Sequence, residues 1–100
     1  MYYYYTYRID LLDGSGRYYL GQRRSRKKPE DDWRYKGSGR SLKNLYRRHG
    51  GYQRVRDGEF YKKTILGVYS SQEELDKAEK ELIGDLFRSD YKCLNRISGK

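Results

Sequence analysis

The stretch from Tyr2 to Leu12 alternates with a period of two, and this pattern does most to limit the fold. Tyr3, Tyr5, Tyr7, Ile9 and Leu11 fall on one face of an extended chain, with Tyr2, Tyr4, Thr6 and Arg8 on the other. Aromatic and β-branched side chains suit a pleated, half-buried surface. Asp13-Gly14-Ser15-Gly16 is a turn signal, and Arg17 to Gly21 reads as a returning strand, so the chain opens with a β-hairpin. Gln22 to Trp33 is polar, charged and carries the only proline, the composition of a loop that is mobile when unbound. A short helix is predicted over Ser41 to His49, with Leu42, Leu45, Tyr46 and His49 on one face and Gly50-Gly51 at its end. Gly58 to Tyr69 reads as a third strand, and Tyr91 to Ile97 as a short extended tail. With a second helix between these last two, the order is β-β-α-β-α. That order predicts one α+β domain over residues 1–100, a small three-stranded antiparallel sheet flanked by helices.

The second helix is predicted over Ser71 to Phe87, opened by a capping box of Ser71 and Glu74. Leu75, Ala78, Leu82, Ile83 and Leu86 form its apolar stripe. Glu79 projects into the middle of that stripe, Asp76 and Asp85 skirt its edges, and Glu73, Glu74 and Glu81 fall outside it. An ionised carboxylate aimed inward is costly unless it meets a cation or a metal. On the residues alone, a structural ion pair with one of the 23 Lys and Arg side chains is the plainer partner for Glu79.

Charge is distributed unevenly. Residues 1–57 hold 15 basic and 6 acidic side chains, whereas residues 58–100 hold 8 of each. Between Arg17 and Arg56 the count is 14 basic against 3 acidic, interleaved with Tyr18, Tyr19, Trp33, Tyr35 and Tyr46, the footprint of a polyanion-binding surface. A single cysteine, Cys93, excludes an internal disulfide and a cysteine-based zinc cluster, and fits a reducing compartment. No apolar run reaches membrane-spanning length, so a soluble, cytoplasmic protein without membrane contact is expected.

Several residues could carry chemistry. Tyr7 and Tyr19 sit at fixed places on the hairpin, and Gly21 permits close approach of a ligand. Arg23, Arg24, Arg26, Lys27 and Lys28 follow, and Gly37-Ser38-Gly39-Arg40 leads into the first helix, where free backbone N–H groups suit phosphate as well as a plain cap. In their order these residues resemble the GIY-YIG nucleases. Tyr5-Thr6-Tyr7 matches the family's first motif and Tyr19-Leu20-Gly21-Gln22 its second, at the family's separation. The likeness continues through Asp32 to Gly39, Leu42, Arg48-His49-Gly50, Phe60, Lys63 to Leu66, Glu74-Leu75, Glu79, Ile83 and Leu94-Asn95. It is nearest to the nuclease domain of the phage-type free-standing homing endonucleases. Tyr5 stands where the family name has Gly, and Leu20 where it has Ile.

The resemblance implies a metal-dependent DNA endonuclease. Glu79 would be the only protein ligand of Mg²⁺ (or Mn²⁺ in its place), Tyr7 the general base or its helper, and Tyr19 the holder of the attacking water. An arginine, Arg23 or Arg40 with Arg24 and Arg26 behind them, would clamp the phosphate. The basic field and a nearby metal are expected to lower the Tyr7 phenol toward neutral pH. Arg24, Arg26, Lys27, Lys28, Ser38, Lys43 and Arg47 would contact double-stranded DNA, with Gly21, His49 and Asn95 in support and no small-molecule cofactor. His49 reads first as a histidine at a helix C-terminus, facing the dipole. The rival readings are a non-catalytic basic nucleic-acid-binding module on the same scaffold, or a nuclease subunit that takes its specificity from a partner.

Overall fold

A computed structural model describes residues 1–53, 55 and 57–95. Strands β1 (Tyr3–Leu11), β2 (Tyr18–Ser25) and β3 (Tyr61–Tyr69) form one antiparallel sheet in the order β2-β1-β3. Helix α1 (Arg40–Arg48) lies between β2 and β3 in the chain, and α2 (Gln72–Ile83) and the single turn α3 (Leu86–Ser89) follow β3. The predicted α+β class and element order are those observed.

The strand alternation sorts the core into two clusters. On one face of the sheet, Tyr5, Tyr7, Ile9 and Leu11 of β1 pack with Leu42 and Tyr46 of α1 and with Val55, Phe60 and Tyr61. Leu20 lies opposite Arg8 in the register, so it points to the other face, where it packs with Tyr18, Ile83 and Cys93. Helix α2 runs across all three strands on that side. Much of the first cluster is phenol. Tyr46 packs edge-on against Tyr52, Phe60 and Tyr61, with ring centroids 5.6, 6.2 and 5.6 Å away, a favoured geometry for aromatic pairs. Its hydroxyl donates to the Lys36 carbonyl at 2.8 Å, which supplies the partner a buried phenol needs.

Three segments differ from the sequence reading. The strand β2 continues through Gln22, Arg23, Arg24 and Ser25, and the remainder of the expected loop contains a 3-10 turn, Pro29–Asp31. Backbone pairing with Tyr3 to Thr6 extends β2, and polar strand residues leave no hydrophobic signal to read. The expected helix over 71–87 breaks at Gly84, whose φ of +51 stops α2 after Ile83. Leu86 keeps the helical spacing yet belongs to α3. Ser71 caps α2 as predicted, accepting from the Glu74 N–H at 3.2 Å. The tail pairs through Cys93 with Tyr18, and residues 96 and 97 lie outside the described residues. No helix among the described residues is long and apolar enough to cross a membrane.

Burial pushes the Tyr61 phenol up from 10.0 to about 12, with the nearby Asp57 charge adding to it. Above pH 10 the unfolded chain would lose this proton while the folded chain keeps it. The stabilising contribution is therefore complete below about pH 10 and disappears as pH rises toward 12. The stability gap between the native protein and Tyr61→Phe, measured by urea denaturation, is expected to stay constant at neutral pH and to narrow above pH 10. A gap that widens there would contradict this assignment.

Candidate active site

The outer strand β2 carries the candidate site on its free edge. Tyr19, Gly21 and Arg23 lie opposite Ile9, Tyr7 and Tyr5 and so belong to the tyrosine-rich face. Gln22 and Arg24 lie opposite Thr6 and Tyr4 and belong to the α2 face. The C-terminal segment covers the first part of the edge. Leu94 N–H donates to the Tyr18 carbonyl at 2.7 Å. The Asn95 side chain brackets Leu20, accepting from its N–H at 2.9 Å and donating to its carbonyl at 2.6 Å. Beyond Leu20 the edge opens into a cleft of about 570 Å³, walled by Tyr19, Gln22, Arg23, Arg24, Tyr35, Ser38, Glu79 and Asn95 among others.

Glu79 lies in this cleft with 7% of its surface exposed. The Gln22 side-chain amide donates to Glu79 Oε1 and to Asp76 Oδ1, both at 2.9 Å. Gln72 completes the group, donating to Gln22 Oε1 at 2.7 Å and to Asp76 Oδ1 at 2.8 Å. Asp76 and Glu79 are three residues apart on α2, so both carboxylates share one side of the helix. Among the described residues, no three or more His, Cys, Asp or Glu side chains gather as a metal cage. Carboxylate oxygens without a closed cage suit a hard divalent cation that keeps most of its water, as Mg²⁺ does. The carboxylate oxygens of Asp76 and Glu79 are the donor type such an ion takes.

Tyr7 stands behind the cleft wall. It is fully buried, its hydroxyl reaches the Tyr35 hydroxyl at 3.5 Å, and its ring centroid is 6.3 Å from that of Tyr19. A Cβ at position 21 would sit 2.5 Å from the Tyr7 oxygen, so only glycine leaves room for this phenol beside β2. Burial holds the Tyr7 phenol well above its ordinary value, and the neighbouring Tyr35 and Tyr19 phenols add to this. Burial outweighs the basic field at this phenol, because the nearest groups are rings and hydroxyls. Tyr19 lines the cleft itself. Burial raises its phenol too, while the Ser38 hydroxyl beside it pulls the other way.

Of the two candidate arginines, the cleft contains Arg23; Arg40 opens α1 and is not on its wall. Arg23 Nε donates to Asp32 Oδ2 at 3.1 Å, and the guanidinium carbon lies 4.2 Å from the Tyr35 ring centroid. Asp32 is buried and also accepts from the Tyr5 hydroxyl at 2.5 Å. Lys63 ties this knot from β3, donating to the Tyr5 hydroxyl at 2.8 Å and to the Asp32 and Tyr35 carbonyls, each at 2.9 Å. Burial pushes the Lys63 ammonium down to about 8, with the Asp32 charge opposing the shift. The segment carrying Asp32 and Tyr35 is therefore anchored by these polar contacts together with the packing of the Tyr35 ring against Tyr7, 5.6 Å between centroids.

The other predicted residues spread outward. Arg24 and Arg26 lie over the Tyr2 ring, 4.7 and 5.4 Å from its centroid. Arg26 and Lys27 line a neighbouring cavity, and Lys28 is exposed just before the 3-10 turn. Ser38, Lys43 and Arg47 border a further depression beside α1. His49 caps the C-terminus of α1 away from the cleft and stacks on Phe60, ring centroids 4.0 Å apart. Tyr5, Asp32, Tyr35, Lys63, Gln72 and Asp76 received no site role from the sequence; the only signal was that the first four fall within the segments matched to the resemblance. Compared with family models, curated proteins and solved structures, the chain matches none.

Lys63→Met would leave two carbonyls and the Tyr5 hydroxyl without their shared donor. A loss of about 1–3 kcal/mol is expected for a buried acceptor left unsatisfied, read as a lower urea midpoint. Full retention of stability would mean that the knot contributes nothing.

Proposed function

We propose that the protein is a metal-dependent DNA endonuclease of the GIY-YIG type. The observation that carries this reading is the convergence of Glu79, Tyr19 and Arg23 on one cleft at the edge of β2. Tyr19 and Arg23 come from one face of β2 and Glu79 from α2, so the cleft joins a phenol and a guanidinium to a carboxylate more than fifty residues away in sequence. The order of motifs across the chain supports the same reading.

Glu79 would hold the divalent ion, with Gln22 orienting its carboxylate and Asp76 close enough to act through a water. Such an ion supplies charge neutralisation at the scissile phosphate and leaving oxygen. Tyr19 presents a protonated phenol to the cleft and positions a water by hydrogen bonding. Tyr7, held protonated by burial, supports Tyr35 and the Tyr19 ring, and its role is orientation instead of proton abstraction. Arg23 would take the non-bridging oxygens. Its described hydrogen bond to Asp32 uses Nε, and its stacking on Tyr35 fixes the plane of the guanidinium. Arg24, Ser38, Lys43 and Arg47 extend a polar and cationic surface on either side, suited to a duplex backbone.

Supercoiled plasmid incubated with Mg²⁺ should be nicked by the native protein and left intact by Glu79→Gln, with DNA retardation in a gel retained. Arg23→Ala should lower the cleavage rate by about 10²–10³-fold, the usual cost of removing one transition-state charge stabiliser. Retarded yet intact DNA with the native protein would instead favour a binding module. Affinity should also fall linearly on a log–log plot against salt, with a slope of about −0.9 per phosphate contacted. A flat plot would dismiss the basic surface as the contact face.

A further inference from the structure

The turn Asp32 to Tyr35 carries a feature that the cleavage reading leaves unused. Trp33, the only tryptophan in the chain, is 63% exposed at its tip. A large ring left in water is informative where its backbone is rigid. Here Tyr35 N–H closes the turn on the Asp32 carbonyl at 3.3 Å, and Lys63 Nζ grips the carbonyls at both ends. Lys36 N–H then donates to the Tyr52 hydroxyl at 2.7 Å, fixing the exit. These bonds fix the backbone on either side of the exposed indole, and the Arg34 guanidinium carbon sits 5.0 Å from its ring centroid.

Beneath the turn lies a cavity of about 830 Å³, with Trp33, Arg34, Tyr52, Tyr61 and Asp57 on its wall. A smaller cavity shares Arg34 and Tyr52 with it, and shares Arg23 and Tyr35 with the candidate active site. Asp57, whose carboxylate accepts from the Lys63 N–H, makes its side of the wall unfriendly to phosphate and able to accept from an amino group. The Arg34 guanidinium lies over one face of the indole. An aromatic face next to a guanidinium, on a chain of net charge +9, matches a base with its phosphate.

We propose that Trp33 and this cavity form a subsite for an unpaired nucleobase, separate from the Glu79 cleft. This rests on the nucleic-acid reading above, though not on cleavage. Bases inside a duplex have no free face to offer the indole, so the subsite selects strands with at least one unstacked base near the bound segment.

Trp33 emission reports the site directly. The native protein is titrated in EDTA with a single-stranded oligothymidylate of about 12 nucleotides, and separately with a blunt duplex, while labelled-DNA anisotropy follows binding. Quenching by the single strand is expected. Trp33→Ala should weaken single-strand binding roughly tenfold, with duplex affinity unchanged and Trp33→Phe retaining most of the affinity. Emission that stays constant while the single strand binds would overturn the proposal, as would equal loss for both DNAs; plasmid nicking would then still stand. Binding of neither DNA would overturn the nucleic-acid reading together with the subsite. An emission change produced only by a co-purifying protein would reassign the turn to a protein partner.

Discussion

The Lys63 ammonium is the point on which the architecture of the site depends. It reaches from β3 to the Tyr5 phenol of β1 and to the carbonyls of Asp32 and Tyr35. A half-buried charge still needs hydrogen-bond partners, and here three oxygens receive the three ammonium protons. Asp32 then satisfies Tyr5 and Arg23 together. One polar knot joins all three strands to the segment between β2 and α1. Removing Lys63 would take a donor from the Tyr5 hydroxyl and from two backbone carbonyls at once, so these contacts behave as a unit.

This knot explains how so polar a chain builds a defined cleft. Only 35% of its residues are hydrophobic, and 13 of its 100 residues are tyrosine. Phenols supply burial area and a hydroxyl that must find a partner. Tyr5, Tyr46 and Tyr52 therefore pack as hydrophobes and also bind Asp32, the Lys36 carbonyl and the Gly37 carbonyl. The same property raises the buried phenols above their ordinary range and makes Tyr7 a structural neighbour of the cleft.

On the α2 side the solution is different in kind. Gln22 is neutral, and its amide bridges Asp76 and Glu79, at 2.9 Å to each. The cleft thus sets the Glu79 carboxylate of α2 across from the guanidinium groups of Arg23 and Arg24.

Alternation from Tyr2 to Leu12, the turn at Asp13 to Gly16 and the Ser71 cap are local signals, and they determined the hairpin, the α+β class and the start of α2. Helical spacing likewise determined that Glu79 points inward, because 3.6-residue periodicity is a property of the segment alone. The end of α2 at Gly84 escaped that reading, since Leu86 keeps the period across the break. The extension of β2 through Ser25 escaped it too, because backbone pairing leaves no mark on polar side chains. Tertiary structure alone decided that Arg23 and not Arg40 reaches the cleft, that Tyr7 is sealed behind it, and that Asp32 and Lys63 meet across 31 residues. Those outcomes depend on which donors and acceptors become neighbours after the chain folds, and neither periodicity nor composition encodes distance between remote residues.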